Sequence, residues 1–196
     1  MNIRHGIKRT VKTAFLIVVA PLYVLYRMLS LFGSKDGTFQ SFSQLISLIP
    51  GKTGIYIRAA FYRFACIDTS DDISIGFLTI FSHADTTIMK GVYVGPQCNI
   101  GKCTIGQNTL IGSGVHILSG RNQHKYTDLQ TPIKEQGGYF EKICIGDDCW
   151  IGNNSTILKS VGPQCIIAAA SLIIDETGSQ EILGGNPAKT LRYRSN

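Results

Sequence analysis

The first 35 residues of the chain contain no acidic side chain, although they carry six of its nineteen Lys and Arg residues. The remaining thirteen basic residues are matched by all thirteen acidic ones, so the formal net charge of +6 belongs to the N-terminus. A nucleic-acid-binding protein spreads its basic residues over a binding face. We therefore expect no nucleic-acid partner. Charged residues make up only 16% of the chain and hydrophobic residues 44%, which indicates a folded core rather than disorder.

The six cysteines include no Cys-x-x-Cys pair, which argues against a zinc knuckle. Cys98, Cys149 and Cys165 each lie four residues after an aliphatic residue of the repeat described next. That position of the repeat favours a small, buried side chain. We therefore expect free cysteines that pack as small hydrophobic groups in a reducing compartment, rather than a disulfide framework.

The centre of the chain lacks both ordinary hydrophobic periods. Between Gly91 and Ser119 an aliphatic residue followed by glycine recurs every five or six residues, and a second such run extends from Ile145 to Ile173. A helix repeats every 3.6 residues and a strand every two. A period near six is typical of a parallel β-helix, in which the aliphatic residue points into the core and the following small residue allows a corner. The sequence therefore predicts a mainly β solenoid domain over residues 70–196, which includes a loop at 119–142 and a C-terminal tail.

A long apolar segment precedes the repeat. Residues 14–32 would form a helix about 28 Å long, nominally enough to cross a bilayer core. A cleaved signal peptide fits poorly because no small-residue cleavage site follows. A spanning helix would keep the basic N-terminus in the cytoplasm and leave the main domain outside. Pro21 and Arg27 instead favour a kinked helix lodged in one leaflet, with Lys and Arg at anionic head groups.

We therefore predict that residues 1–35 form a basic, apolar, membrane-associating helix. Residues 1–32 would hold the protein, as a peripheral or monotopic protein, on the cytoplasmic face of the membrane. Packing of this helix on another subunit is the alternative. Residues 36–69 are expected to supply a linker and capping helices, because an uncovered solenoid end exposes strand edges.

Four segments together resemble a known family: the hexads, the ILSGRNQH segment, the CWIGNNSTIL coil and the GGNPAKTLR tail. They are similar to the left-handed β-helix, or hexapeptide-repeat, acyltransferases, and among these to sugar and surface-polysaccharide O-acetyltransferases. The resemblance covers residues 70–192. It implies left-handed coils, a homotrimer with active sites between subunits, and acetyl-CoA or another acyl-CoA as donor. The implied reaction moves an acetyl group to a sugar hydroxyl. With a membrane-seated N-terminus, a lipid-linked or surface polysaccharide intermediate becomes the expected glycan acceptor.

Acyl transfer to a hydroxyl needs a base, and histidine suits this task at neutral pH. By resemblance, the loop histidine after the Ser-Gly turn is that base, which here is His124. A solvated loop histidine is the other reading of this residue. Relatives often carry a further histidine at the position of Asn122. His116 is the second candidate, because it precedes the core position Ile117 and should point outward, and His83 in the irregular first coil is the third.

The resemblance also implies where the donor lies. CoA should run along the groove between two prisms towards the C-terminal coils, and the cofactor-binding positions we expect are Trp150, Ala169, Ser171 and Lys189. Lys189 would pair with a CoA phosphate as a point charge. Trp150 would line the acyl channel or pack at a trimer interface. Relatives commonly read Ala-Gly-Ser where this chain has Ala169-Ala170-Ser171, and the extra methyl groups would narrow the groove.

Two other classes of function remain open from the sequence. A γ-type carbonic anhydrase uses the same fold with three zinc-binding histidines. The spacing of His83, His116 and His124 lacks the tighter H-x4-H pair which that family's second and third ligands resemble, so no metal is expected. A non-catalytic β-helix scaffold is the second alternative, against which the long loop and its histidine argue.

Overall fold

The computed structural model describes residues 3–195; Met1, Asn2 and Asn196, at the ends of the predicted segments 1–35 and 70–196, lie outside the described residues. Within this range, three α-helices precede fifteen short strands. The helices are α1 (Ile3–Leu29), α2 (Lys35–Ser47) and α3 (Gly51–Ala65), and a 3-10 turn spans Ile133–Glu135. The strands are β1 (Ser74–Ile75), β2 (Ile80–Phe81), β3 (Thr87–Ile88), β4 (Tyr93–Val94), β5 (Asn99–Ile100), β6 (Cys103–Ile105), β7 (Leu110–Ile111), β8 (His116–Ile117), β9 (Ile143–Ile145), β10 (Trp150–Ile151), β11 (Thr156–Ile157), β12 (Ile166–Ile167), β13 (Leu172–Ile173), β14 (Glu181–Gly185) and β15 (Ala188–Tyr193).

The strands stack into the three faces of a prism. The first face contains β1, β4, β7, β10, β12 and β14 in that order, with β15 antiparallel at its end. The second face contains β2, β5, β8, β11 and β13, and the third contains β3, β6 and β9. Each strand therefore pairs in parallel with the strand one coil later. The predicted parallel β-helix with N-terminal helices is confirmed.

The inward position of each strand from β1 to β14 holds an aliphatic or aromatic side chain that is almost fully buried, as the repeat predicted. Val94, Ile100 and Ile105 come from the three faces of one coil, and none of them has measurable exposure. The six cysteines are free. The thiols of Cys98, Cys149 and Cys165 are buried, and each Sγ donates to a carbonyl oxygen of the next coil at 3.1 Å. The expectation of free cysteines packed as small side chains is confirmed.

The glycine that follows the core aliphatic does not turn the corner, so that part of the expectation is wrong. The corners are turned two or three residues later, where Gln97 and Asn108 take left-handed backbone conformations with φ of 61° and 58°. The glycine is required by the close approach of successive coils. A Cβ atom on Gly152 would lie 2.5 Å from the main-chain nitrogen of Ala169 in the next coil. Glycine at this position therefore sets how tightly the coils stack.

Helix α2 pairs with main-chain groups of the first coil, which has no earlier coil beneath it. Three first-coil amides donate to α2: Leu78 to the Ser47 carbonyl at 3.0 Å, Phe81 to Ser43 Oγ at 2.8 Å, and Ala84 to Asp36 Oδ1 at 3.0 Å. A buried main-chain group without a hydrogen-bond partner costs folding free energy, so α2 supplies the partners that an earlier coil would otherwise provide. Because α2 begins at Lys35, only a short turn separates it from α1.

Arg58 of α3 joins the cap to the solenoid from within. Its side chain is fully buried, and Nε donates to the carbonyl oxygen of Ile75 in β1 at 2.9 Å. Nη1 donates to the carbonyl oxygens of Ile46 at 3.1 Å and Ile49 at 2.8 Å. These two carbonyls lie at the C-terminal end of α2, where a cation is favoured. One guanidinium therefore connects α2, α3 and the first coil.

Helix α1 packs along α3 over most of its length. Phe15 stacks on Tyr56 with ring centroids 5.1 Å apart, and Tyr23 stacks on Phe64 at 5.3 Å. Near the C-terminal end of the helix, Tyr26 is buried within an aromatic cluster that includes residues of α2 and α3.

The N-terminal half of α1 is held by an ion-pair cluster. Lys12 Nζ and Lys8 Nζ lie 2.7 and 3.0 Å from the same oxygen, Oδ1 of Asp72, at the start of the solenoid. These lysines, Lys12 foremost, lower the pKa of Asp72 to about 2. The cluster therefore ties α1 to the first coil through a charge that is present at all ordinary pH values.

We predict that Gly152→Ala lowers the free energy of unfolding by about 1–3 kcal/mol, because the added methyl group meets main-chain atoms that cannot yield locally. The matched control is Gly6→Ala in α1, where an added Cβ has no atom within 4 Å. This control should be neutral or stabilising by up to about 1 kcal/mol. Urea unfolding of the three proteins measures both effects, and equal stabilities would contradict the close-stacking explanation.

We predict that Asp72→Asn destabilises the protein at neutral pH by about 0.5–1 kcal/mol, a value discounted for the partial exposure of the ion pair. A carboxylate whose pKa is lowered on folding stabilises the protein at pH values above the pKa that it has in the unfolded chain. This stabilisation is lost as the pH falls towards the pKa that it has in the folded protein. The stability difference between the wild type and Asp72→Asn should therefore vanish between about pH 4 and pH 2. Asp71→Asn, which removes only a 3.9 Å contact with Lys12, is the control and should have a smaller effect at every pH.

Candidate active site

A cavity of about 900 Å³ opens beside the second face of the solenoid. The N-terminal turn of α2 supplies one wall, through Asp36 and Gln40. The early coils supply the second wall, and Ser119, Gln123 and Phe140 from the inserted loop at 119–142 supply the third. The cavity is therefore enclosed by three segments that are far apart in the sequence.

Two of the three candidate histidines, His116 and His83, face this cavity. His116 lies at the exposed, outward position of β8, directly beside Asn99 of β5 in the parallel ladder. The outward orientation expected for His116 is therefore observed. His83 follows β2 in the first coil, two coils before His116, and its ring packs against the ring of Phe140 at a centroid distance of 5.0 Å.

A hydrogen-bond chain orients the His83 ring. Its Nδ1 lies 2.8 Å from Ser82 Oγ, and that hydroxyl lies 3.4 Å from the carbonyl oxygen of Ile100, to which it donates. In the tautomer in which Nδ1 carries the proton and donates to Ser82 Oγ, Nε2 of a neutral His83 has its lone pair free. A histidine in this tautomer can accept a proton.

The inserted loop is held against the solenoid at its base. Asn122 Nδ2 donates to both Tyr139 Oη and Glu141 Oε1 at 2.8 Å, and Lys159 Nζ lies 3.1 Å from Glu141 Oε2. The hydrogen bond from Asn122 and the nearby lysine lower the pKa of Glu141. The Asn122 amide therefore bridges the two ends of the loop.

Charged groups beside the cavity are already paired. Lys142 Nζ and Lys102 Nζ lie 2.8 and 3.0 Å from the two carboxylate oxygens of Asp85, and they lower its pKa, Lys142 foremost. Asp36 accepts the hydrogen bond from the Ala84 amide described above. The carboxylate of Asp36 in the cavity lining and that of Asp85 beside Lys102 are therefore both engaged in holding elements together.

His124 is exposed on the loop and is not among the residues that line the cavity, although its neighbour Gln123 is. Within one protomer, His83 and His116 line one cavity, and His124 lies apart from it. The catalytic role expected for His124 stays a prediction.

The expected donor-binding residues lie elsewhere on the solenoid. Trp150 is 56% exposed on the first face, and Ala169 is exposed at the corner between β12 and β13. Ser171 is fully buried, and its Oγ donates to the Ala168 carbonyl at 2.7 Å. Lys189 on β15 lines a cleft of about 150 Å³ together with three acidic side chains. One protomer therefore does not gather these four residues around the histidine cavity, and their role stays a prediction.

Sequence reasoning missed Asn99, Gln40, Asp36 and Phe140. Asn99 carried a usable signal, because it stands one coil of seventeen residues before His116 and so at the same outward position. The other three enter the cavity through long-range packing, for which the repeat gives no indication. Among the side chains that the structure describes, those of residues 6–195, no group of three or more His, Cys, Asp or Glu has a geometry that could hold a metal ion.

Residues 85–119 match the family model described as Bacterial transferase hexapeptide (six repeats). The chain is 31% identical over 119 residues to the Carnitine operon protein CaiE of Proteus sp. (strain LE138), an alignment that covers 55% of this chain and 58% of that protein. It is also 31% identical over 113 residues to a protein of Lysinibacillus sphaericus named "Probable macrolide acetyltransferase", with 52% and 63% covered. The chain thus spans about three fifths of the length of these curated relatives.

Among solved structures, a maltose O-acetyltransferase from Clostridium difficile 630 matches with a TM-score of 0.68. The match covers 82% of this chain and 89% of that one at 16% sequence identity, which is evidence for a shared fold. This fold is a left-handed β-helix, so the handedness implied by the sequence resemblance is confirmed. The chain therefore carries the bacterial transferase hexapeptide repeat, folded as in the hexapeptide-repeat acetyltransferases that its sequence resembles.

Proposed function

We propose that this protein is a CoA-dependent O-acetyltransferase that moves an acetyl group from acetyl-CoA to a sugar hydroxyl. The observation that carries the proposal is the pair of histidines, His83 and His116, facing one polar cavity beside the long loop. The transferase repeat and the acetyltransferase names of its relatives support the reaction class.

The chemistry requires a base, an oxyanion site and a leaving group. A neutral imidazole takes the proton of the acceptor hydroxyl as the oxygen attacks the thioester carbonyl. Main-chain N–H groups are suited to stabilise the tetrahedral oxyanion. Collapse of the intermediate breaks the C–S bond, and the departing CoA thiolate takes the proton from the imidazolium. The products are an acetyl ester and free CoA.

We assign the base to the cavity, where His83 is the better oriented ring. Its Nδ1 lies 2.8 Å from Ser82 Oγ, so Nε2 is the ring nitrogen left to meet the acceptor hydroxyl. His116 lines the same cavity beside Asn99 and is the second candidate for the base. His124 remains the alternative base, in which case the loop rather than the cavity would carry the reaction.

The cavity lining fits a sugar as the acceptor. Three side-chain amides, those of Gln40, Asn99 and Gln123, can each both donate and accept hydrogen bonds to hydroxyl groups. The ring of Phe140 is half exposed at the same cavity and offers an apolar surface to one face of a pyranose. A few polar groups beside an aromatic ring are the usual composition of a small-molecule site.

A homotrimer would bring donor and acceptor together. The outward positions of Tyr93, Leu110 and Trp150 form a continuous ladder on the first face, and each is 43–56% exposed in the single chain. Such an apolar ladder supports a partner subunit on this face. Acetyl-CoA would then lie between subunits, near Trp150, Ala169 and Lys189, with Ser171 supporting the coil from within.

The acceptor is proposed to be a lipid-linked or surface polysaccharide intermediate at the cytoplasmic face of the membrane. The N-terminal turn of α2, which walls the cavity, follows the apolar helix α1 after a short turn. A sugar that is anchored in the membrane would therefore meet the cavity close to the element that is expected to contact lipid.

We predict that His83→Asn and His116→Asn each lower kcat/KM for acetyl transfer by about 10²–10⁴-fold, the usual contribution of a general base or its close partner. His124→Asn is the matched control and should change kcat/KM by less than about tenfold. Transfer of radiolabelled acetyl from acetyl-CoA to a panel of p-nitrophenyl glycosides provides the rates, and the pH profile of kcat/KM should lose its acidic limb in the variant that lacks the base. A large loss in His124→Asn alone would move the base to the loop.

The same proposal predicts a chemical change in the cell. Mass spectrometry of the surface glycan should show an acetyl group that disappears when the gene is deleted and returns with the wild-type gene, but not with His83→Asn. An unchanged glycan, together with stoichiometric zinc in the purified protein, would contradict the acetyltransferase proposal.

A further inference from the structure

Helix α1 presents a continuous apolar face that nothing in the single chain covers. The stretch Gly6–Leu29 is long and apolar enough to cross a membrane. A window of 18 residues within it has a mean hydropathy of 1.5, and only 11% of that window is buried. Seven apolar side chains on the outer side of α1, or in the turn after it, are each 48–89% exposed. We call them the apolar face: Ile17, Val18, Val24, Leu25, Met28, Leu31 and Phe32. An exposed patch of this extent indicates an interaction surface.

The opposite side of α1 packs against the rest of the protein. Val19 and Tyr26 are 3% and 2% exposed, and Phe15 stacks on Tyr56 of α3. Lys8 and Lys12 bind Asp72 at the start of the solenoid. A helix that crossed the bilayer would have to give up these contacts, because α3 and Asp72 belong to the end of the solenoid. The packing therefore argues against a spanning α1.

Charge selects the partner for the apolar face. Between Ile3 and Ile67 the sequence contains one acidic residue, Asp36. Five basic residues of the helical part are exposed: Arg9, Arg27, Lys35, Lys52 and Arg63. A second copy of this chain would bring these like charges together, which is unfavourable. An anionic lipid surface would attract them while accepting the apolar side chains into its acyl region.

We propose that α1 remains packed on α2 and α3, and that the apolar face inserts into one leaflet of an anionic membrane without crossing it. This inference deepens the membrane location in the proposed function and does not depend on the acetyl-transfer chemistry. The turn containing Leu31 and Phe32 is the most exposed part of the apolar face. Ser34 and Asp36, which line the histidine cavity, follow within four residues. The cavity is thereby held near the head groups, where a lipid-linked sugar is displayed.

The first test measures vesicle binding by the full chain. Flotation uses phosphatidylcholine vesicles with phosphatidylglycerol and, in a second arm, phosphatidylcholine alone. The double variant Ile17→Glu/Val24→Glu should lower binding to the anionic vesicles about tenfold or more, because two side chains lose their apolar burial. The matched control is Leu129→Glu, at a residue 91% exposed in the 119–142 loop and outside the cavity lining. It should bind like the wild type.

The outcomes of this test are separable. Loss of wild-type binding when phosphatidylglycerol is omitted supports the role of the basic residues. Failure of the wild type to bind either vesicle overturns the proposal. Gel filtration without lipid gives a further outcome: if the double variant alone loses a dimer or higher assembly, the apolar face binds protein rather than lipid, and the proposal is wrong. Equal thermal unfolding midpoints confirm that the variants remain folded.

The second test asks whether α1 stays packed when the protein is on the membrane. The pair Phe15→Cys and Tyr56→Cys replaces two rings whose centroids lie 5.1 Å apart. A short bis-maleimide, which adds to one cysteine thiolate at each end, should join these positions equally in solution and on anionic vesicles, as mapped by peptide mass spectrometry. The two single-cysteine variants control for the exposed native Cys144. A cross-link that forms in solution and disappears on vesicles would show that α1 leaves α3 and would overturn the inference.

Acetyl transfer to the water-soluble glycosides distinguishes this inference from the proposed function. Ile17→Glu/Val24→Glu lies outside the cavity and should keep the wild-type rate with these acceptors. Normal vesicle binding without any acetyl transfer would leave the membrane mode intact and remove the enzymatic proposal. Full acetyl transfer without vesicle binding would support the enzymatic proposal and overturn the membrane inference.

Discussion

Main-chain hydrogen bonds between successive coils hold every other feature of this protein in position. The strands of the coils are two or three residues long apart from the terminal hairpin, too short to persist alone, and each relies on the coil beneath and above it. The amide of Gly112, for example, donates to the carbonyl of Ile151 in the next coil at 2.8 Å. Because these bonds fix the register, outward side chains one coil apart become neighbours. Asn99 and His116 adjoin each other for this reason, and the cavity inherits its shape from the stacking.

A stack of this kind has an end, and the helical cap shows how that end is completed. The first coil has no earlier coil to pair with, so Ser47, Ser43 and Asp36 of α2 accept its amide hydrogens. Arg58 covers the same end from α3 by donating to three carbonyl oxygens. Asp36 also lines the cavity. The element that completes the solenoid is therefore also a wall of the candidate active site.

The repeat made part of this structure predictable because its information is local. The burial of Ile105, the outward position of His116 and the small-residue role of Cys98 all follow from position within a hexad. The distance between successive coils does not follow from the hexad, because the repeat gives the neighbours of Gly152 but not that a Cβ there would lie 2.5 Å from the main-chain nitrogen of Ala169. The N-terminal turn of α2 is held beside His83 by the hydrogen bond from the Ala84 amide to Asp36, and these two residues are 48 positions apart. No sequence periodicity encodes such a contact.

The inserted loop at 119–142 also shows that long-range contacts cannot be predicted from the repeat. Its position was predictable from the break in the hexads, and its histidine was its most conspicuous chemical group. Its folded shape depends on Asn122 bridging Tyr139 and Glu141, a network of polar side chains with no repeating pattern. The loop therefore turns Gln123 and Phe140 to the cavity and leaves His124 at the surface of the protomer.

The burial of Tyr26 has a practical consequence for preparing this protein. Its ring lies against Phe42 and Phe61, with centroids 5.6 and 5.7 Å away, so it belongs to the core of the cap. Deleting the apolar N-terminal helix as a dispensable anchor would expose these aromatic rings and create a new hydrophobic surface that is prone to aggregation. A soluble form is better sought by replacing outward side chains while keeping the helix whole.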